Sequence, residues 1–284
     1  MSDNNVYLNG QIVPEASATI SISDAGFLHG ASTFTTMMAR NGVVFRLDRH
    51  LERLMETVKL LGLRTDATAD SLTNSVYELL AANGLSNARL RVTLTPGSVH
   101  EGGPTTLITA QPLPEYPAAW YEKGIGVVVS SLKQCPGDPT FGYKTGCYLP
   151  RVLGRQEAAA KGADEALWFT HDNRLAEACF CNVFLVLGGE VYTPPADTPA
   201  LPGIVRQAVL ELCDELAIPC HSDIPLTVKE MLGAQEVFLT GSTTGIRPVT
   251  RIERHSVAEE KPGPVTKRLI EAYRQLVERE CSGR

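Results

Sequence analysis

Short apolar runs alternate with turn residues along the first third of the chain, which is typical of antiparallel strands. Two such runs within residues 6–22 are separated by Asn9-Gly10, and two later runs are separated by Asn41-Gly42. Asn-Gly between apolar runs is a strong hairpin signal. The second hairpin is predicted to pair a hydroxyl-rich strand ending at Arg40 with a strand over 43–47.

Apolar residues at helical spacing predict helices between these strands, and shorter apolar runs predict further strands. The first helix is expected to begin at an N-cap, Asp48, and to stop at Gly62. Glu177 is expected at the start of the strand that continues through 182–187. The other predicted helices cover 70–83, 149–161, 205–216 and 264–280, and the other strands cover 88–95, 105–111, 126–131, 165–170 and 236–240.

A proline-rich stretch interrupts this pattern near the middle of the chain. Three prolines lie within the six residues Pro112–Pro117, which favours a linker between domains. We therefore predict a small N-terminal domain over 1–113, a linker over 114–122 and a larger C-terminal domain over 123–284.

Composition narrows the class of protein. The chain has 284 residues, of which 43% are hydrophobic and 20% charged, and a formal net charge of −6. This charge argues against nucleic acid or an anionic membrane as a partner. There is no apolar run of membrane-spanning length and no basic-then-apolar start, so we expect a cytoplasmic protein.

The cysteines predict neither disulfides nor a metal site. They number seven, an odd count, and are scattered. Cys179 and Cys181 are expected on one face of one strand, but no second Cys or His cluster lies near them in the sequence. We therefore assign this pair a structural role.

Lys144 is the candidate for covalent chemistry. It lies between a predicted strand and a predicted helix, with aromatic residues near it and Gly142 and Gly146 on either side. Desolvation lowers the pKa of an ammonium and frees a lysine to form an imine. Most lysines in such a position are surface residues, so the residues alone leave both interpretations open.

Other candidates could hold an anion. Arg53 lies at the edge of the apolar stripe of its helix, where an arginine either extends to water or reaches a buried anion. Arg89 and Arg91 share a strand face and either bind a carboxylate or remain solvated. Pro202-Gly203 before a helix, and the small residues of Gly241–Gly245, offer backbone N–H groups to an anion.

Five motifs, in order along nearly the whole chain, resemble the class IV, or fold type IV, pyridoxal-phosphate enzymes. This family includes branched-chain aminotransferases, D-amino acid transaminases and aminodeoxychorismate lyases. The resemblance implies two α/β domains that bind pyridoxal 5'-phosphate, and a homodimer. The motifs are Arg46–Leu54, Lys144–Leu149, Glu177–Phe184, Tyr192–Pro195 with Leu201–Arg206, and Glu236–Gly241.

The resemblance implies a role for each matching residue. Lys144 matches the Schiff-base lysine, which also transfers the substrate's proton, and Glu177 matches the carboxylate that pairs with the pyridine nitrogen. Arg53 matches the phosphate-binding arginine, and Tyr148 lies near the tyrosine that bonds the cofactor's phenolic oxygen. Further phosphate contacts are expected from Ile204, Val205, Ser242 and Thr243, and substrate contacts from Phe34, Arg91 and Thr244.

The sequence departs from the family pattern in the expected substrate pocket. Cys147 replaces an asparagine common in the family, and Thr35 replaces an acidic residue common in both transaminase branches. Phe34-Thr-Thr36 instead resembles some lyases, in which the second threonine, here Thr36, is implicated in catalysis. Against the lyase, Pro96 occupies the place of an Arg-Gly pair that is common in lyases and D-transaminases.

These observations favour a transaminase that uses an amino acid, either branched-chain-like or of the D-series, and a 2-oxo acid. The runner-up is an aminodeoxychorismate lyase on the same scaffold. A cofactor-binding or structural protein without catalysis is a third hypothesis, against which the set of Lys144, Glu177 and Arg53 argues.

Overall fold

A computed structural model describes residues 4–100 and 102–282, with Ala258 described by its backbone alone. The first elements in chain order are β1 (Asn5–Leu8), β2 (Gln11–Pro14), α1 (Ala25–His29), β3 (Thr33–Arg40), β4 (Val43–Val44), α2 (Leu47–Leu60), α3 (Ala69–Ala82), β5 (Ala88–Thr95) and β6 (Thr105–Pro112). They are followed by α4 (Ala119–Glu122), β7 (Ile125–Gln134), α5 (Leu149–Ala160), β8 (Glu165–Thr170), β9 (Leu175–Ala178), β10 (Asn182–Leu187) and β11 (Glu190–Tyr192). The last are α6 (Ile204–Glu215), β12 (Cys220–His221), α7 (Val228–Gly233), β13 (Glu236–Gly241), β14 (Gly245–Ile252), β15 (His255–Ser256) and α8 (Pro264–Glu280).

The chain divides into two compact units. The first comprises Met1–Glu115, Lys144–Cys147 and Val277–Arg284, and the second comprises Tyr116–Tyr143 and Tyr148–Leu276. The segment with Lys144 thus belongs to the first unit, although its neighbours along the chain belong to the second. The domain limits inferred from the prolines stay predictions.

The first unit contains an antiparallel sheet in the order β2-β1-β6-β5-β3-β4. Both predicted hairpin turns are present, and their residues Asn9, Gly10, Asn41 and Gly42 all have positive φ, as a type I′ turn requires. Apolar residues of α2 and α3, including Leu54 and Leu79, pack against the buried side of this sheet. The expected strand over 43–47 is shorter, because α2 begins at Leu47.

The second unit contains a mixed sheet in the order β12-β11-β10-β13-β14-β7-β8-β9, with β15 on β14. Every residue of β8 is buried. Ala166 and Trp168 pack with Ala158 of α5, whereas Leu167 and Phe169 pack in a cluster that includes Met231 of α7. Because side chains alternate along a strand, β8 is covered on both faces.

Three local predictions are wrong. Asp48 is not the N-cap of α2: Arg46 occupies that position, in the left-handed conformation and with no side-chain cap from any described residue. Asp48 lies in the first turn, where a negative charge favours the helix dipole. Glu177 does not begin the strand over 182–187 but lies in β9, opposite Trp168 of β8.

The third correction concerns Cys179 and Cys181. They do not share a strand face, because they flank Phe180 in the turn that joins β9 to β10. Both are buried. No helix within 4–100 or 102–282 is long and apolar enough to cross a membrane.

Candidate active site

Lys144 is held by its backbone at the edge of the sheet of the first unit. Its carbonyl oxygen accepts hydrogen bonds from the Phe34 amide, at 2.9 Å, and from the Thr33 hydroxyl, at 3.1 Å. The Gly146 amide donates to the Ser32 carbonyl at 2.8 Å. A Cβ at Gly146 would lie 2.2 Å from Ser32 Oγ, so only glycine permits this close approach.

The ammonium of Lys144 and the guanidinium of Arg91 both lie at the ring of Phe34. Lys144 Nζ is 4.9 Å and Arg91 Cζ is 3.5 Å from the ring centroid. Phe34 itself is buried, and Arg91 Nε donates to Thr93 Oγ1 at 3.1 Å. The aromatic ring therefore holds two cations near one another, which suits a substrate with a carboxylate.

Arg53 reaches the same strand through Thr35. Its NH2 group donates to Thr35 Oγ1 at 3.3 Å, and Thr35 Oγ1 lies 2.8 Å from Nδ1 of the buried His50. Burial, then the charge of Arg53 and then that of Lys144, lower the pKa of His50 well below its usual value. A neutral His50 adds no further positive charge to this group of cations.

Thr36 is half-buried on β3 and lies opposite Arg91 in the β3–β5 register. The first unit therefore brings together Lys144, Phe34, Thr36 and Arg91. Arg53 joins this group through Thr35, which the pattern of the strand had indicated only as an ordinary strand residue.

Glu177 is the centre of the predicted residues in the second unit. Its carboxylate is buried and forms an ion pair with Arg151 of α5. Oε1 also accepts from Gln134 Nε2 at 3.1 Å, and Oε2 accepts from the Leu201 amide at 2.9 Å. Burial lowers the pKa of the Arg151 guanidinium, but the Glu177 carboxylate outweighs burial and the net change is upward.

Tyr148 lies beside this ion pair. Arg151 Cζ is 5.7 Å from the centroid of the Tyr148 ring, which also stacks on Phe180 at 5.6 Å. The phenol is half-buried. Arg151 thus contacts two residues that the resemblance assigns to the cofactor, Glu177 and Tyr148.

The backbone that follows Leu201 leads into the start of α6. Asn182 Nδ2 donates to the Leu201 carbonyl at 2.8 Å, and a Cβ at Gly203 would lie 2.0 Å from Asn182 Oδ1. Gly203 is the N-cap of α6 and receives no side-chain cap from the described residues. The first amides of α6, including those of Ile204 and Val205, are thus available to an anion.

The turn between β13 and β14 carries the remaining predicted residues. Gly241 pairs with Gly245, so Ser242, Thr243 and Thr244 form the connection. Thr243 Oγ1 lies 2.8 Å from the Tyr116 hydroxyl, and the Thr244 carbonyl accepts from the Tyr121 hydroxyl at 2.8 Å.

The donor sets of the two units fit pyridoxal phosphate. The first unit contributes a lysine and arginines, and the second contributes a buried carboxylate, an uncapped helix N-terminus and a hydroxyl-rich turn. These are the groups that must bind an aldehyde, a pyridine nitrogen and a phosphate. Across the described positions, no three His, Cys, Asp or Glu side chains are grouped so that they could hold a metal ion.

Sequence reasoning missed three residues of these groups: Arg151, Gln134 and His50. The sequence does carry a weak signal for Arg151, since an arginine on the inner side of a predicted helix needs a carboxylate partner. His50 interrupts the apolar stripe of α2 at a buried position, which is a similar signal.

Comparison with known proteins identifies the family. The family model of class IV amino-transferases matches residues 32–252. A candidate branched-chain-amino-acid aminotransferase of Methanocaldococcus jannaschii is 32% identical over 279 residues, which cover 95% of this chain and 96% of that protein.

Solved structures agree with this assignment. The crystal structure of the Escherichia coli branched-chain amino acid aminotransferase superposes with a TM-score of 0.92 at 28% identity, covering 97% of this chain and 95% of that one. A second solved branched-chain amino acid aminotransferase, from T.th., contains pyridoxamine 5'-phosphate. It has a TM-score of 0.92 at 25% identity, covering 100% of this chain and 96% of that one.

The fold is therefore the mixed α/β, two-domain fold type IV, as the resemblance implied. The family is one of enzymes that depend on pyridoxal phosphate, with transamination as its main reaction. The five motifs, the matching family model and the agreement with solved structures lead to one conclusion: this chain belongs to the class IV aminotransferase family.

Proposed function

We propose that the chain is a transaminase that moves an amino group between an amino acid and a 2-oxo acid, with Lys144 as its Schiff-base lysine. The observation that carries this proposal is the buried ion pair of Glu177 and Arg151, because its carboxylate also binds the Leu201 amide just before the uncapped start of α6. This arrangement serves a ligand with a basic nitrogen at one end and a phosphate at the other.

Bound pyridoxal phosphate supplies an electron sink for the charge left when a substrate loses its α-proton. Glu177 holds a proton at the pyridine nitrogen, and Arg151 keeps that carboxylate in place. Lys144 Nζ accepts the α-proton and returns it in the second half of the reaction. Tyr148 donates to the phenolic oxygen. The phosphate is bound by Arg53, the Ile204 and Val205 amides, and the hydroxyls of Ser242 and Thr243.

The substrate pocket involves Phe34, Arg91 and Thr244. Arg91 binds the α-carboxylate, because its guanidinium lies at the same aromatic ring as Lys144 Nζ. We propose a branched-chain-like amino acid as donor, with a D-amino acid as the other possibility within transamination. The similarity to branched-chain enzymes over more than nine-tenths of the chain supports the first. Glutamate and 2-oxoglutarate are proposed as the shared pair.

An aminodeoxychorismate lyase is the second candidate. One observation favours it: Thr36 is half-buried opposite Arg91, where its hydroxyl can assist a proton transfer, and the preceding position holds Thr35 rather than an acid. Pyruvate elimination from aminodeoxychorismate would then replace transamination.

Visible spectra of the purified protein test the proposal. L-valine, D-alanine and aminodeoxychorismate are added in turn. A transaminase loses its yellow absorption with one amino acid series and regains it with the matching 2-oxo acid. A lyase keeps the absorption through turnover and releases pyruvate from aminodeoxychorismate alone. A protein that stays colourless after reconstitution with pyridoxal phosphate contradicts both.

Lys144→Ala tests the assignment of the lysine. We expect loss of the imine absorption and of turnover with every active substrate. Lys133→Ala is a matched control, because Lys133 Nζ also lies over a phenylalanine ring, 5.2 Å from the centroid of Phe169. Equal activity of both variants would show that Lys144 is not the nucleophile.

Glu177→Ala tests the proton-holding role. We expect activity to be lost while pyridoxal phosphate still binds, because the phosphate contacts lie elsewhere. Equilibrium dialysis measures the binding, and single-turnover absorbance measures the reaction. Unchanged rates would refute the role.

We further propose that the protein is a homodimer. Helix α5 exposes Leu149, Val152 and Leu153, with 67%, 40% and 46% of their surfaces accessible, and Phe180 is 40% exposed. Apolar side chains grouped on one helix are typical of an interface. Sedimentation equilibrium should give twice the chain mass, and Leu149→Glu with Leu153→Glu should shift it toward the monomer.

A further inference from the structure

Three aromatic residues at the start of the second unit contact the turn of Ser242, Thr243 and Thr244. We call Tyr116, Trp120 and Tyr121 the aromatic trio. The hydroxyl of Tyr116 lies 2.8 Å from Thr243 Oγ1, and that of Tyr121 donates to the Thr244 carbonyl at 2.8 Å. The trio thus binds a side chain and a backbone group on consecutive turn residues.

The trio is itself fixed by a buried arginine. The rings of Tyr116 and Trp120 stack with centroids 5.7 Å apart, and Arg247 Cζ lies 5.1 Å from the Trp120 centroid. Arg247 is buried and donates to Cys181 Sγ at 3.1 Å, and its NH2 group lies 3.8 Å from Glu165 Oε2. Because this cation is held from below, the trio forms a rigid support.

The turn has little freedom once these contacts are made. Three residues connect the paired ends Gly241 and Gly245, and two of the three are bound to the trio. The third, Ser242, has no side-chain hydrogen bond to any residue that the structure describes. Fixing two members of so short a connection also restricts where the hydroxyl and amide of Ser242 point.

We infer that the aromatic trio positions the Ser242–Thr244 turn for the phosphate of pyridoxal phosphate, and so sets how tightly the chain binds the cofactor. Tyr116 and Tyr121 are positioning residues and do not touch the cofactor. This inference rests on the proposed function, which assigns the phosphate to the turn. A turn that is ordered before binding costs less to order during binding, so affinity rises.

The test compares Tyr116→Phe, Tyr121→Phe and the unchanged apoprotein in titrations with pyridoxal 5'-phosphate and with pyridoxal. Absorbance of the imine and quenching of tryptophan fluorescence report binding. Each variant loses one hydroxyl, so we expect the dissociation constant of pyridoxal phosphate to rise about threefold to tenfold. The dissociation constant of pyridoxal should not change, because pyridoxal has no phosphate.

Tyr192→Phe is the control. Its hydroxyl also donates to an acceptor in the second unit, Glu190 Oε2 at 3.1 Å, but not at the turn. This variant should bind both ligands as the unchanged protein does. Thermal unfolding of each apoprotein confirms that the variants fold.

Two outcomes overturn the inference while leaving the proposed function standing: an unchanged affinity for pyridoxal phosphate in both tyrosine variants, or equal weakening for pyridoxal and pyridoxal phosphate. The second would mean a general structural role. If the unchanged apoprotein binds neither ligand, the proposed function fails and the inference fails with it.

Discussion

Replacing Arg151 by methionine tests whether the ion pair with Glu177 is held against a large desolvation cost. The side chains of Arg151 and Glu177 are 9% and 3% exposed, so water screens the pair little. Arg151→Met leaves the carboxylate with the Gln134 amide and the Leu201 amide as its donors. Removing one partner of a buried pair typically costs about 3–5 kcal/mol.

A smaller loss accompanies the broken pair. Arg151 also donates to the Cys179 carbonyl at 2.8 Å, a bond worth about 1 kcal/mol. We therefore expect Arg151→Met to lower the free energy of unfolding by about 3–5 kcal/mol or somewhat more. In the double variant with Glu177→Gln, no buried charge is left unpaired, so its cost should be well below the sum of the two single costs.

Urea denaturation of the apoproteins measures these costs. The comparison includes Arg151→Met, Glu177→Gln, the double variant and, as a control, Arg155→Met. Arg155 lies one turn further along α5 and donates only weakly to the Ala163 carbonyl, at 3.5 Å, so its loss should cost about 1 kcal/mol or less. The reasoning is refuted if Arg151→Met costs no more than the control, or if the two single costs add in the double variant.

Three further predictions follow from buried groups. Because the pKa of His50 is lowered in the folded protein, the unfolded chain binds a proton first, so the free energy of unfolding should fall as the pH drops below about 6.5. His50→Gln should reduce this slope in pH-dependent urea titrations, and an unchanged slope would contradict it. Gly203→Ala places a Cβ 2.0 Å from Asn182 Oδ1, so it should lower the melting temperature and raise the dissociation constant of pyridoxal phosphate; an unaltered constant would argue against this helix start as the phosphate site. Burial, and then the charge of Glu165, raise the pKa of Cys179 to about 12, so iodoacetamide at pH 8 should alkylate the exposed Cys135 and leave Cys179 unmodified until urea is added.

Local signals predicted much of the fold. The Asn-Gly turns predicted both hairpins of the first unit, because their φ angles are a local requirement. Helical spacing predicted α2, α3 and α8 to within a few residues, since a single apolar face decides each of them. The N-cap of α2 was wrong because Arg46 takes a left-handed conformation that its residue type does not favour.

The site was less accessible to sequence reasoning, because its residues are defined by partners far away along the chain. Arg151 and Glu177 are 26 positions apart and lie on a helix and a strand. Thr35 and His50 meet only because α2 packs on the sheet that contains β3. Spacing alone does not specify such pairs. The motifs of the family resemblance marked Lys144, Arg53 and Glu177, but not the residues that hold them.

The backbone pairing of Lys144 with Phe34 has a consequence for attempts to divide the protein. A gene fragment that ends at Glu115 would encode the sheet of the first unit without the segment Lys144–Cys147, whose carbonyl and amide groups bond to that sheet. Neither half of a chain cut once near this point would contain both the reactive lysine and the strand that holds it. Circular permutation with new ends at Gly188-Gly189, in the β10–β11 connection, would keep them on one polypeptide and is the better route to rearranged or split versions.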